Sequence, residues 1–165
     1  MIFSTLFGST EKNESGHSIL QKQDSNFVVL GNVDNDVLML EADNKGNVIW
    51  SQSYGGSQLD EAYHFKHTND GGYIISGSTS SYGFGGSDIW LIKSGSNGLI
   101  EWNTYIGTEY DEQGGQVIQT EDGGYLVVGN RINDQRQDSD VWLIKTNSQG
   151  DSIWTKTYGG LGDDI

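Results

Sequence analysis

Residues 122–160 read DGGYLVVGNRINDQRQDSDVWLIKTNSQGDSIWTKTYGG, and the chain writes this string nearly three times. Residues 70–107 read DGGYIISGSTSSYGFGGSDIWLIKSGSNGLIEWNTYIG, and residues 24–56 give a more worn copy, DSNFVVLGNVDNDVLMLEADNKGNVIWSQSYGG. Trp50, Trp102 and Trp154 stand 52 residues apart, as do Tyr73 and Tyr125, Trp90 and Trp142, and Asp70 and Asp122. A period near fifty with strand-like content marks a repeat architecture and outranks any local motif.

Each unit divides into four short strands. In the second unit they are expected at 61–68, 73–79, 88–94 and 99–105. The third repeats them at 112–120, 125–130, 140–146 and 151–158, and the first at 15–22, 27–31, 36–42 and 47–53. Asp-Gly-Gly and Ser-Asn-Gly segments between them supply the positive φ angles of tight hairpins. The strands are rich in Val, Ile, Leu, Tyr and Trp, and runs such as VWLI are continuous enough to imply sheets covered on both faces. No segment sustains a helical period, so the expected class is all-β.

The chain has 165 residues, 24 Gly, no Pro and no Cys. Absent prolines leave every backbone N–H available to a sheet ladder. Absent cysteines remove disulfides, zinc thiolates and cysteine nucleophiles together. The net charge of −14 and the lack of a basic cluster argue against a nucleic-acid partner. No stretch approaches a membrane span, and the opening MIFSTLFGSTEKNES lacks the basic start and long apolar run of an export signal.

Four antiparallel strands per unit of this length make the blade of a β-propeller. The string DGGY…G-x-T-x-S…G-G-x-D-x-W-L-I-K…G-x-x-x-W-x-x-x-Y-G-G also resembles repeats of prokaryotic secreted and surface proteins read as β-propellers. The resemblance covers nearly the whole chain. It is strongest over Asp70–Trp102 and Asp122–Gly160, whereas the first unit has Ser25-Asn26 for Gly-Gly, Leu38 for Trp and Glu41 for Lys. A secreted or cell-surface location is what that resemblance implies. The turn-plus-tryptophan element (Gly98…Trp102, Gly150…Trp154) is similar to quinoprotein-type propellers, which implies a ring docked between blades; only that packing role is carried over, and no cofactor is expected.

The expected division is a partial repeat over 1–8, blades over 9–53, 54–104 and 105–157, and the start of a further repeat over 158–165. Three blades are fewer than a closed ring needs. The chain is therefore expected either to belong to a longer propeller or to associate with itself, two copies giving six blades. A β-trefoil-like threefold fold, common among lectins, is the alternative.

Candidate residues are few. Repeated in register, Trp50, Trp102, Trp154, Trp90, Trp142, Tyr73 and Tyr125 read as packing, and Asp70 and Asp122 as turn formers. The loop between second and third strands differs between units, which makes Tyr82, Phe84, Arg131 and Arg136 candidate ligand contacts on a rigid scaffold. Asn32, Asp34 and Asp36 alternate as calcium ligands can, but no distal Glu completes the loop, and ordinary turn chemistry is the favoured reading. Asp60, Asp111 and Asp164 recur where units begin. His64 or His67 beside Asp60 or Glu61 would be needed for a channel acid–base pair, and neither a nucleophile elbow nor a histidine metal pair accompanies them. The expected function is a non-enzymatic scaffold that binds a protein or small ligand through one loop face. A lectin-like repeat protein with a glycan ligand is the alternative.

Overall fold

Runs of seven or eight β-branched and aromatic residues, cut by turns that need positive φ, leave the backbone one economical way to pair its amides. The structure, a computed structural model, describes residues 13–132, 138–160 and 162. Its strands are β1 (Glu14–Gln21), β2 (Phe27–Val33), β3 (Asp36–Ala42), β4 (Val48–Tyr54), β5 (Asp60–His67), β6 (Tyr73–Thr79), β7 (Asp88–Ser94), β8 (Ile100–Ile106), β9 (Glu112–Gln119), β10 (Tyr125–Ile132), β11 (Ser139–Thr146) and β12 (Ser152–Tyr158). They form three four-stranded antiparallel meanders in chain order, β1–β4, β5–β8 and β9–β12. The described residues contain no helix, and so none long and apolar enough to cross a membrane. The strands pair within their own unit. A trefoil pools strands of all three units into one barrel, so that alternative is set aside.

The hairpin between β5 and β6 shows how a turn sets register. Asp70 accepts hydrogen bonds from the Gly72 amide (3.0 Å) and the Thr68 hydroxyl (2.5 Å), while Gly71 takes φ +85°. Asp122, Thr120 and Gly124 repeat this in the third sheet. In the first sheet Ser25 occupies the same left-handed position at φ 69° without glycine's freedom.

The sheets pack face upon face. Val28, Leu30, Val37 and Met39 of the first sheet meet Phe65, Tyr73, Ile75, Trp90 and Ile92 of the second. On the other side of the second sheet, Ile74, Ile89 and Leu91 meet Val117, Tyr125, Val127, Trp142 and Ile144 of the third. The first strand of each following sheet lies nearest its predecessor, β5 against β1–β3 and β9 against β5–β7. Continuous apolar runs led us to expect coverage on both faces throughout. Only the second sheet has it: β6 and β7 are buried at every position, whereas the near-identical β11 is buried at alternate ones. The difference is position in the stack, because each outer sheet has one described neighbour.

Between sheets the tightest fit is a tryptophan against a turn glycine. A Cβ on Gly98 would lie 2.6 Å from Trp50 Cζ3, and one on Gly150 would lie 2.6 Å from Trp102 Cζ3. Both glycines also hold positive φ, 77° and 88°. We therefore expect Gly150→Ala to cost about 2–4 kcal/mol, adding left-handed strain to overpacking. Ser25→Gly, relieving strain in an open turn, should gain roughly 1 kcal/mol. Urea denaturation of the two variants checks both signs.

Candidate functional site

At one end of the stack, the loops between second and third strands lie beside the connections between sheets. The Gln58 amide donates to Ser81 Oγ (2.9 Å), and the Ser87 amide to Asp111 Oδ1 (2.9 Å). Buried carboxylates organise this end. Asp60 accepts from the Gly56 amide (2.7 Å), Ser81 Oγ (2.7 Å) and Thr79 Oγ1. Glu112 accepts from the Thr108 amide (2.8 Å) and Thr108 Oγ1 (2.5 Å). Gly56 and Thr108, like Asp60 and Glu112, are 52 residues apart, so Glu112 is the counterpart of Asp60. The sequence pairing of Asp60 with Asp111 is thus out by one position, because the two acids at 111–112 are adjacent and only register separates them. Asp164 lies outside the described residues.

Where the second and third sheets meet at this end, a cavity of about 410 Å³ opens, lined chiefly by Glu61, Tyr63, Asp111, Glu112, Gln113 and Asn130. Its geometry begins with a β-bulge. The β5–β6 register slips between Ala62 and His64, leaving Tyr63 as the extra residue. The Tyr63 hydroxyl donates to Glu61 Oε2 (2.8 Å) and accepts from Gln113 Nε2 (3.1 Å), a chain that crosses from one sheet to the next. Burial raises the Tyr63 phenol, so it stays a donor. Among the described residues three carboxylates and no basic side chain line the cavity. Such a wall raises the local concentration of cations and offers acceptors to hydroxyl or ammonium donors.

Burial also raises the carboxyl of Glu112; the two Thr108 hydrogen bonds oppose this, Asp88 pushes it up further and Arg131 pulls it down. Asp88 and Glu112 are both fully buried, and Asp88 Oδ1 has no hydrogen-bond partner.

Of the four loop residues proposed as ligand contacts, Tyr82, Phe84 and Arg131 do not line this cavity. Tyr82 stacks on Tyr105 with centroids 5.3 Å apart and donates its hydroxyl to the Gly55 carbonyl (3.2 Å). Phe84 beside it is 69 % exposed, with its amide on Asp88 Oδ2 (2.9 Å). The Arg131 guanidinium sits 5.5 Å over the Trp142 ring, and Arg136 lies outside the described residues. Trp90, Trp142, Tyr73 and Tyr125 are buried, Trp50 and Trp102 are packed against the core clusters, and Trp154 is 40 % exposed.

The calcium pattern does not assemble. Asn32 accepts from the Ala62 amide (3.2 Å) and donates to His17 Nε2 (3.0 Å), Asp34 accepts from the Asn13 amide (3.1 Å), and Asp36 faces Ser53. Among the described residues no three His, Cys, Asp or Glu side chains form a metal-holding group. His64 Nδ1 accepts from the Val117 amide (3.2 Å), bridging two sheets, and burial lowers its pKa, with Lys66 lowering it further. His67 stands beside the Tyr73 ring, centroids 5.0 Å apart.

The raised Glu112 carboxyl has a signed consequence. Because its folded value lies above the ordinary one, protonation favours the fold, and that contribution is lost as pH rises from the usual glutamate range through the raised value. Glu112→Gln keeps the shape and removes the titration. Its melting temperature relative to the parent should therefore climb as pH rises from 4 to 7, which calorimetry at a series of pH values would read.

No family model matches the sequence, and no curated protein matches it. Among solved structures it is similar to a protein of unknown function from Bacteroides caccae, at 11 % identity and a TM-score of 0.45, covering 88 % of this chain and 68 % of that one.

Proposed function

We propose that the chain is a β-propeller-type binding scaffold without catalytic machinery, and that its ligand is recognised at the end of the sheets where the acidic cavity opens. Three successive four-stranded meanders, each with its first strand nearest the preceding sheet, support the propeller reading. The observation that carries the binding reading is the cavity itself. Tyr63, displaced by a bulge and held between Glu61 and Gln113, gives it an amphipathic floor. Glu61, Asp111 and Glu112 give it acceptors, and no basic side chain stands among its described lining residues. That set suits a small ligand rich in ammonium or hydroxyl groups, or an exposed lysine of a protein partner.

The lectin-like reading draws on Phe84, whose exposed ring stands at this same end. It lacks one stacking ring per repeat, because Trp50 and Trp102 pack between sheets while only Trp154 is exposed.

Titration calorimetry against polyamines, amino sugars and neutral oligosaccharides separates the readings. Binding of ammonium-bearing ligands that weakens about tenfold or more in Glu61→Gln/Asp111→Asn, and with added salt, is the expected result. Binding of neutral sugars lost instead in Phe84→Ala would favour the lectin. Silence from all three classes would remove the small-ligand reading and leave the protein partner.

A further inference from the structure

The structure repeats one joint three times and closes it twice. In the closed joints, Trp50 lies on the turn glycine Gly98 of the next sheet, and Trp102 lies on Gly150. The third tryptophan in register, Trp154, lies on the outer face of the third sheet and is 40 % exposed. The third glycine in register is Gly46, on the first sheet, and its φ of 85° matches the 77° and 88° of Gly98 and Gly150.

A second feature of the joint points the same way. Tyr54, the last residue of β4, donates its hydroxyl across the first joint to the Gly98 carbonyl (2.5 Å) and is buried. Tyr158 ends β12 at the corresponding position, 104 residues on, and is 53 % exposed. An isolated outer strand gains nothing from a tyrosine there. A strand that enters the same joint does.

The apolar faces match as well. Leu126, Val128, Val141 and Leu143 on the outer face of the third sheet are in register with Ile74, Ser76, Ile89 and Leu91, which meet the third sheet. On the first sheet the face turned away from the second carries Ile19, Phe27, Val29 and Leu38, in register with Phe65, Tyr73, Ile75 and Trp90. Ile19 is 62 % exposed, and no described strand covers this face.

We propose that the outer face of the third sheet docks on this face of the first sheet in a second copy of the chain, with Trp154 over Gly46 and the Tyr158 hydroxyl on the Gly46 carbonyl. The contact continues the stack with the joint already used twice inside the chain. It is heterologous, and with three of the six sheets of a ring in each chain, two copies making it reciprocally close on each other and leave neither face open. This assembly is independent of what the acidic cavity binds.

Light scattering of the full chain across a dilution series tests it. The expected species has twice the 18.1 kDa chain mass. Trp154→Ala should raise its dissociation constant about tenfold or more, as loss of a central aromatic anchor does. Val128→Glu, placing a charge in the joint, should leave only monomer. Because Trp154 and Val128 are exposed within one copy, both variants should keep the parent's strand signal in circular dichroism. A parent that is monomeric at the highest attainable concentration overturns the proposal. A dimer indifferent to both substitutions overturns it too, since it would be joined elsewhere.

Discussion

The indole of one sheet against the turn glycine of the next is the contact on which the stack depends. A four-stranded meander satisfies its inner amides by itself but leaves two apolar faces in water, and a lone sheet cannot hide them. Face packing supplies the area, yet area alone does not fix how two sheets sit. The Trp50–Gly98 and Trp102–Gly150 contacts do, because any side chain on either glycine would overlap the ring. Around the second joint Trp102 also meets Tyr125 edge-on, centroids 5.7 Å apart, which adds a directional term to the burial. A repeat whose tryptophan and glycine share one period can be stacked by one rule.

Charge is arranged on the same lattice. Lys93 is only 3 % exposed at its side chain, and Asp70 (3.0 Å) and Glu101 (2.9 Å) both pair with it. Lys145 pairs with Asp122 (3.0 Å) in the third sheet. Burial pushes the Asp70 carboxyl up, but hydrogen bonds from Thr68, Gly72 and Lys93 outweigh it and hold the group at about 2. In the first sheet the polarity is reversed. Glu41 takes the lysine position and is met by Lys22 (2.9 Å), Asn26 (2.8 Å) and the Trp50 indole N–H (2.8 Å). The apparent wear of the first repeat at Glu41 is therefore a compensated exchange. Turn and strand remain tied by ion pairs, whichever way they point, and in the first sheet the Trp50 indole joins them.

The sequence carried strand positions well, because period, turn residues and apolar runs all act locally. Ends expected at 79, 94 and 146 fall where β6, β7 and β11 end. Burial was less legible, since WLIK in β7 and WLIK in β11 are the same letters with different neighbours. The cavity was least legible. Tyr63 reaches it through a bulge, and a bulge is a property of two strands in register. Glu112 hid behind Asp111, which looked like the repeated acid. Tyr82 drew notice as a departure from the repeat, yet its ring serves Tyr105 and Gly55. The legible clue to the site was the Asp60-Glu61 and Asp111-Glu112 pairs, whose first members are one residue out of step.

That one-residue offset explains why the acidic end differs between sheets. Asp60 reaches three donors, whereas Glu112, one methylene longer, folds back onto the amide and hydroxyl of Thr108. At the position of Thr79, which donates to Asp60, the third sheet has Arg131, and its guanidinium lies over Trp142. The carboxylate there lines the cavity. A scaffold built by repetition makes its packing positions alike, so recognition has to be built where the copies disagree. Beside the proposed site the copies differ in the buried acid and in the residue at a bulge that all three sheets share, Tyr63 in the second.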